Sequence, residues 1–231
     1  MSESNIYHIV LKGINSQQLF FSDYDYSNFI SVFSKTCKEY NVDIYAFCLM
    51  NNHIHFLLKF NENEMSSIFK SFGAKYAPRY NERHNRIGPL FNGRYYSSPI
   101  NDDEYLCNVL KYIHYNPVNA GLVKRCCDYK WSSYKSFKDS NSSFGFVDTK
   151  AVLELIGENN FDIIHTANEK DFIEFFALDN KIFSKSTEDI ESFVENAMNS
   201  ISVNDCIEIL SKAGLTKSKI SKLLKIDRRM L

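Results

Sequence analysis

Two groups of residues in this 231-residue chain have types and spacings that could do chemistry. The first is His53-Ile54-His55, inside the run Met50-Asn51-Asn52-His53-Ile54-His55-Phe56-Leu57-Leu58. Residues two apart on a β-strand share a face, so both imidazoles project together while Ile54, Phe56 and Leu58 take the core side. Two neutral imidazoles side by side are half of a divalent-metal site. The same pattern also fits two half-buried strand histidines bonded to their neighbours, so a metal needs a further ligand from elsewhere.

The second group supplies one. In Asp102-Asp103-Glu104-Tyr105-Leu106-Cys107-Asn108-Val109-Leu110-Lys111-Tyr112-Ile113-His114-Tyr115-Asn116-Pro117, Tyr112 and Asn116 are four apart and share a helix face one turn from each other. A tyrosine hydroxyl attacks phosphorus when its phenolate is stabilised. An asparagine carbonyl is a hard oxygen ligand that completes a site begun by two histidines, and Mg²⁺ would need such oxygen partners where Mn²⁺ accepts imidazole readily. Against this stands a plain amphipathic helix ended by an asparagine before proline. Leu106, Val109, Leu110 and Ile113 already supply a core face, which leaves Tyr112 less needed for packing.

The elements that must position these residues are legible from periodicity. Alternation from Ile6 to Gly13 predicts a strand, and Asp23 can cap a helix over 24–40. Strands at Ile44–Met50 and His53–Phe60 are joined tightly at Asn51-Asn52, residues that tolerate the positive φ of hairpin turns. A helix from Glu62 to about Tyr76 should be limited by Pro78, and a strand should lie near Phe91–Ser98 after Gly88-Pro89. The helix opened by the Asn101/Glu104 capping-box spacing should end at Pro117. Strand-helix-strand-strand-helix-strand-helix describes an α+β domain with a mainly antiparallel sheet, running over residues 1–135.

Residues 136–150 are rich in Ser, Asn and Gly and read as a linker, followed by acidic helical sequence to about 200. The charge divides accordingly: +3 over residues 1–135, −8 over 136–200 and +4 over 201–231. The first and last segments are compatible with DNA; the middle one is not. Six cysteines show no metal-knuckle or redox spacing, which suits reduced thiols. No apolar run would span a bilayer and no basic-then-apolar leader opens the chain, so a cytoplasmic location without membrane partners is expected.

Four segments in order, NNHIHFLL, GPLFNGRYYS, YIHYNPVNAGLV and WSSYKSF, resemble the HUH single-tyrosine transposases, whose name denotes His-hydrophobic-His. The branch they resemble most is that of the REP-associated tyrosine transposases, over about residues 6–135. The resemblance implies a ferredoxin-like or RRM-like antiparallel sheet with helices on one face, here followed by a helical C-terminal extension. It also implies a divalent metal, Mg²⁺ or Mn²⁺, held by His53, His55 and Asn116, with Tyr112 as the nucleophile that forms a 5′-phosphotyrosine. The implied partner is single-stranded DNA, as a hairpin or repeat-flanking sequence, handled by a monomer or a homodimer. A replication initiator or relaxase would use the same site, and a non-catalytic nucleic-acid-binding regulator the same fold. Tyr76 and Tyr80 are rival tyrosines by composition, but they lack an asparagine or glutamine four residues on.

Residues 70–94 interleave Lys70, Lys75, Arg79, Arg83, Arg86 and Arg94 with Phe72, Tyr76, Tyr80, Phe91 and Tyr95. Cations track phosphates and aromatic faces stack bases, so Lys75, Arg79, Arg83 and Arg94 are the candidate DNA contacts. A solvated amphipathic helix with core aromatics has the same composition. Near the C-terminus, Asn204–Ala213, Gly214 and Thr216–Leu224 resemble the start of a helix-turn-helix whose second helix is too short to read a major groove.

Overall fold

The computed structural model describes residues 4–139, 144–166, 202–212, 217–227 and 230. Four strands, β1 (Ile6–Lys12), β2 (Asp43–Leu49), β3 (His53–Lys59) and β4 (Tyr96–Pro99), form one open sheet in the order β2-β3-β1-β4. Every neighbouring pair is antiparallel. Helix α1 (Asp23–Glu39) connects β1 to β2, and α2 (Met65–Arg83) connects β3 to β4. This is the expected ferredoxin-like arrangement, with β3 central and carrying both histidines.

Helices α1 and α2 cover one face. Phe33 of α1 stacks on Phe56 of β3 with ring centroids 4.1 Å apart, and Phe29 meets Phe72 and Tyr76 of α2 at 5.0 Å each. These two connecting helices are the expected helices on one face, and the structure adds a third on the other. Helix α3 (Asp103–Asn119) packs on the opposite face, with the Tyr112 ring 5.2 Å from that of His55. His55 and Phe56 are adjacent on β3 and so point to opposite sides, which fixes the assignment.

Both prolines expected to end helices lie inside them. Pro78 sits within α2, which runs on to Arg83, and Pro117 within α3, which runs on to Asn119. A mid-helix proline costs a hydrogen bond and strains the preceding turn. In α2 the buried Tyr76 and Tyr80 on either side hold the helix through it, and in α3 only the last turn is affected. The first turn of α1 starts one residue earlier than expected, capped by Ser22 in a reciprocal capping box with Asp25. The β2–β3 hairpin is where it was expected, but neither Asn51 nor Asn52 has a positive φ. They act through hydrogen bonds instead. The Asn51 carbonyl accepts from Leu19 N at 2.6 Å, its side-chain oxygen accepts from the Tyr26 hydroxyl at 3.0 Å, and the Asn52 carbonyl accepts from Gly13 N at 2.9 Å.

Residues 144–166 pack on the same core. Phe144 and Phe146 lie against Phe47 of β2, and Asp148 N donates to the Ile44 carbonyl at 2.9 Å. The second half of the segment read as a linker is therefore packed against the sheet, its phenylalanines hidden by the Ser/Asn-rich composition around them. Helices α4 (Thr149–Ile156) and α5 (Asn160–Thr166) bury Val152, Ile156 and Phe161. Further on, α6 (Val203–Lys212) and α7 (Lys217–Leu224) pair with each other through Cys206, Leu210, Ile220 and Leu224. Most of the acidic segment, and with it Gly214, Thr216, Arg228 and Arg229, lies outside the described residues. Among the described residues all six cysteines are free, and no helix is long and apolar enough to cross a membrane.

Candidate active site

The helix-α3 face of the sheet is built by strand register. Val10 pairs with His55 and Lys12 with His53, so His8, Val10 and Lys12 of β1 share a face with both histidines of β3. The His53 and His55 rings meet edge to face, with centroids 4.9 Å apart. Tyr112 closes over them, 5.2 Å from the His55 ring and 5.9 Å from the ring of His8. His55 and Tyr112 are wholly buried and His53 is partly exposed. The cluster is therefore least covered on its His53 side, although the Nε2 atoms of both histidines are buried.

Three devices hold the tyrosine helix on this face. Asp102 caps it by accepting from Tyr105 N at 2.7 Å, and the Tyr105 hydroxyl bonds Ser98 of β4 at 3.2 Å. The third is a buried chain of four groups. His114 lies 2.9 Å from Ser133 Oγ through Nε2 and 2.9 Å from His165 Nε2 through Nδ1, and His165 Nδ1 lies 2.7 Å from the Phe161 carbonyl. Phe47 N on β2 donates to Ser133 Oγ at 2.9 Å. With both rings neutral the chain is satisfied in one direction, from the serine hydroxyl through both imidazoles to the Phe161 carbonyl. Burial favours that neutral form. It holds His114 well below the usual histidine range and lowers His165 to about 4, although the Phe161 carbonyl pulls the latter upward. Neither Ser133 nor His114 stands out in the sequence by type or spacing.

The Asn116 amide nitrogen donates to the Tyr112 carbonyl at 3.0 Å, leaving Oδ1 as its accepting atom, and the residue is buried one turn beyond Tyr112. The histidine pair and Tyr112 are thus in one cluster, with Asn116 next along the same helix. The donor set fits a divalent cation chemically. His53 Nδ1 donates to Asn52 Oδ1 at 2.6 Å, which makes Nε2 its lone-pair nitrogen. Two imidazoles and one amide oxygen suit Mn²⁺, and suit Mg²⁺ with further oxygen ligands from substrate and water. Among the described residues no three His, Cys, Asp or Glu side chains gather as an alternative site.

The remaining candidates fall elsewhere. Tyr76 and Tyr80 are buried against α1, on the face away from the histidines. Burial pushes the Tyr76 hydroxyl far up, which makes it a poor nucleophile. Phe72, Tyr76 and Tyr80 are core residues that offer no open face to a base, and the partly buried Phe91 and Tyr95 pack against the same core. Among the described residues the well-exposed phenylalanine and tyrosine rings are Phe21 and Tyr24. Lys75 is paired with Glu39, and Arg83 lies 3.4 Å from Asp25 and stacks on Tyr24 at 4.0 Å. Arg79 and Arg94 are exposed. Of the four, only Arg94 lies near the histidine end of the sheet, in the loop whose Asn92 N donates to the Lys12 carbonyl at 2.8 Å.

An open antiparallel sheet with paired histidines on its central strand, crossed by a tyrosine helix, is the arrangement the HUH resemblance implied. Comparison with known proteins agrees. Residues 2–116 match the transposase IS200-like family. A REP-associated tyrosine transposase of Haemophilus influenzae is 31% identical over 122 residues, covering 48% of this chain and 69% of the relative. A solved REP-associated tyrosine transposase bound to a REP hairpin shares the fold, with a TM-score of 0.50 at 16% identity over 63% of this chain and 84% of the other. This chain belongs to the IS200-like transposase family and is a relative of the REP-associated tyrosine transposases.

Proposed function

We propose that this protein cuts and rejoins single-stranded DNA through a 5′-phosphotyrosine on Tyr112. The observation that carries the reading is the gathering of the His53, His55 and Tyr112 rings on one sheet face. The Tyr112 hydroxyl attacks the scissile phosphorus in line. The Oη–P bond forms as the P–O3′ bond breaks, the tyrosine proton departs, and the leaving oxygen is protonated to a 3′-OH. Attack by that hydroxyl, or by one on another strand, restores a phosphodiester and returns the tyrosine. Bond energy is kept in the covalent link, so no nucleoside triphosphate is consumed.

His53, His55 and Asn116 would hold a divalent metal, which when bound neutralises charge developing on the phosphate oxygens. Tyr112 is wholly buried, so α3 and the strand face must part locally for its hydroxyl to meet a phosphate. The DNA is proposed to be a hairpin with a single-stranded flank, by analogy with the solved relative, with Arg94 nearest the reacting strand. A radiolabelled oligonucleotide of that form, incubated with Mn²⁺ and the full chain, should give a denaturant-resistant protein–DNA adduct. Tyr112→Phe should abolish the adduct while leaving the Kd for the oligonucleotide within about twofold. An adduct that persists in Tyr112→Phe rules the proposal out.

A further inference from the structure

His8 belongs to this site, although its neighbours in the sequence gave no sign of it. It lies on β1 and is almost wholly buried, with Nε2 3.1 Å from Nδ1 of His55. The two rings are nearly parallel, 5.4 Å apart at 19°. His8 also meets the Tyr112 ring edge to face. A buried histidine thus touches both a proposed ligand and the proposed nucleophile.

We infer that His8 is a positioning residue that fixes the tautomer and ring orientation of His55. The inference rests on the metal reading above. One proton lies between His8 Nε2 and His55 Nδ1, and its location decides what His55 can do. If His8 donates, His55 Nδ1 accepts and its proton sits on Nε2, where it blocks coordination. If His8 accepts, carrying its own proton on Nδ1, then His55 donates from Nδ1 and presents a lone pair at Nε2. His53 is set the same way by a different neighbour, since the Asn52 side-chain oxygen takes its Nδ1 proton. Both imidazoles then turn Nε2 outward from partners that hold Nδ1, as outer-shell partners do for metal-ligating histidines. The fixing groups come from two places: Asn52 from the hairpin beside His53, and His8 from the neighbouring strand. Register puts His8 diagonal to His55, since Val10 is the direct partner, and this brings the two side-chain tips together.

The test has two parts. Long-range ¹H–¹⁵N correlation of ¹⁵N-histidine-labelled full-length protein reads the His55 tautomer directly, with no variant that might fail to fold. The Nδ1–H form is expected, and the Nε2–H form in the wild-type protein overturns the assignment. Calorimetric titration with Mn²⁺ gives the second readout. His8→Phe keeps the ring and its contact with Tyr112 but cannot accept a proton, and should weaken Mn²⁺ binding about 10- to 100-fold. His8→Gln, whose amide oxygen reaches as far as Nε2, should recover most of that loss. Unchanged affinity in folded His8→Phe, beside lost affinity in His53→Ala, overturns the role of His8 alone. Unchanged affinity in both removes the metal reading and this inference with it.

Discussion

The two faces of the sheet are built from different materials. Under α1 and α2, Phe29, Phe33, Phe56, Phe69, Phe72 and Tyr76 stack into a nearly continuous aromatic layer. Under α3 the buried groups include His8, His55, His114 and Asn116, each hydrogen-bonded to a specific neighbour. Apolar packing is non-directional and tolerant, whereas buried polar groups are costly unless each meets its partner. One face therefore supplies stability that does not depend on fine geometry. The other spends some of it to hold reactive groups in set orientations.

Mutations on the two faces should part along that line. The largest stability effect is expected from Phe33→Ala, which empties a site between Phe29, Phe56 and Phe72. It should cost about 3–5 kcal/mol in urea unfolding, and the protein that remains folded should keep its adduct-forming rate per molecule. His114→Ala should cost about 1–3 kcal/mol by emptying its buried site and leaving His165 Nε2 without its donor, and it should also slow adduct formation because it loosens the tyrosine helix. A change in stability with no change in rate would show that the buried chain does not steady Tyr112.

The same pair of histidines predicts a pH dependence. Both are held neutral in the fold, with pKa values below that of an unfolded histidine. The unfolded chain binds more protons below pH about 6.5, so their contribution is complete above that value and is lost as the pH falls toward about 4. Lys111 and Lys138 oppose protonation of His165 and Asp162 favours it, so removing either lysine narrows the window and removing Asp162 widens it. Urea midpoints at pH 7 and pH 5 should differ clearly in the wild type and much less in His114→Ala.

Smaller effects sharpen the comparison at the surface and in the apolar core. Arg94→Ala should weaken oligonucleotide binding several-fold and reduce the salt slope by about 0.7, the share of one phosphate contact on a single strand. Lys75→Ala, already paired with Glu39 on the other side of the sheet, should do neither. Tyr76→Phe should be nearly neutral for stability, because its buried hydroxyl makes no hydrogen bond among the described residues. It should leave adduct formation unchanged, and a loss of adduct there would move the chemistry to the wrong face.

Much of the framework was legible in the sequence because it obeys local periodicity. The shared face of His53 and His55 follows from strand alternation, and the pairing of Tyr112 with Asn116 from helix spacing. The role of His8 was not legible, since it depends on which strand lies beside β3 and in what register. The α2 aromatics, by contrast, left two readings open from composition alone. Met65, Phe69, Phe72, Tyr76 and Tyr80 recur every three or four residues, the spacing of a buried stripe, and they are core residues rather than a stacking platform. Pro78 and Pro117 misled because a local breaking tendency yields where packing on either side holds the helix. Phe144, Phe146 and Val147 were hidden among serines and asparagines, and only their contacts with β2 reveal them.

The central claim is that the α3 face carries the covalent chemistry, with Tyr112 as the attacking group. Its most direct test is to trap the adduct with the hairpin oligonucleotide, digest both components and locate the nucleotide by tandem mass spectrometry. The account predicts a 5′-phosphonucleotide on the peptide containing Tyr112, dependent on Mn²⁺ or Mg²⁺ and absent from His55→Ala. A modified Tyr76 or Tyr80, or a Tyr112 adduct that forms equally well without His55, would contradict it.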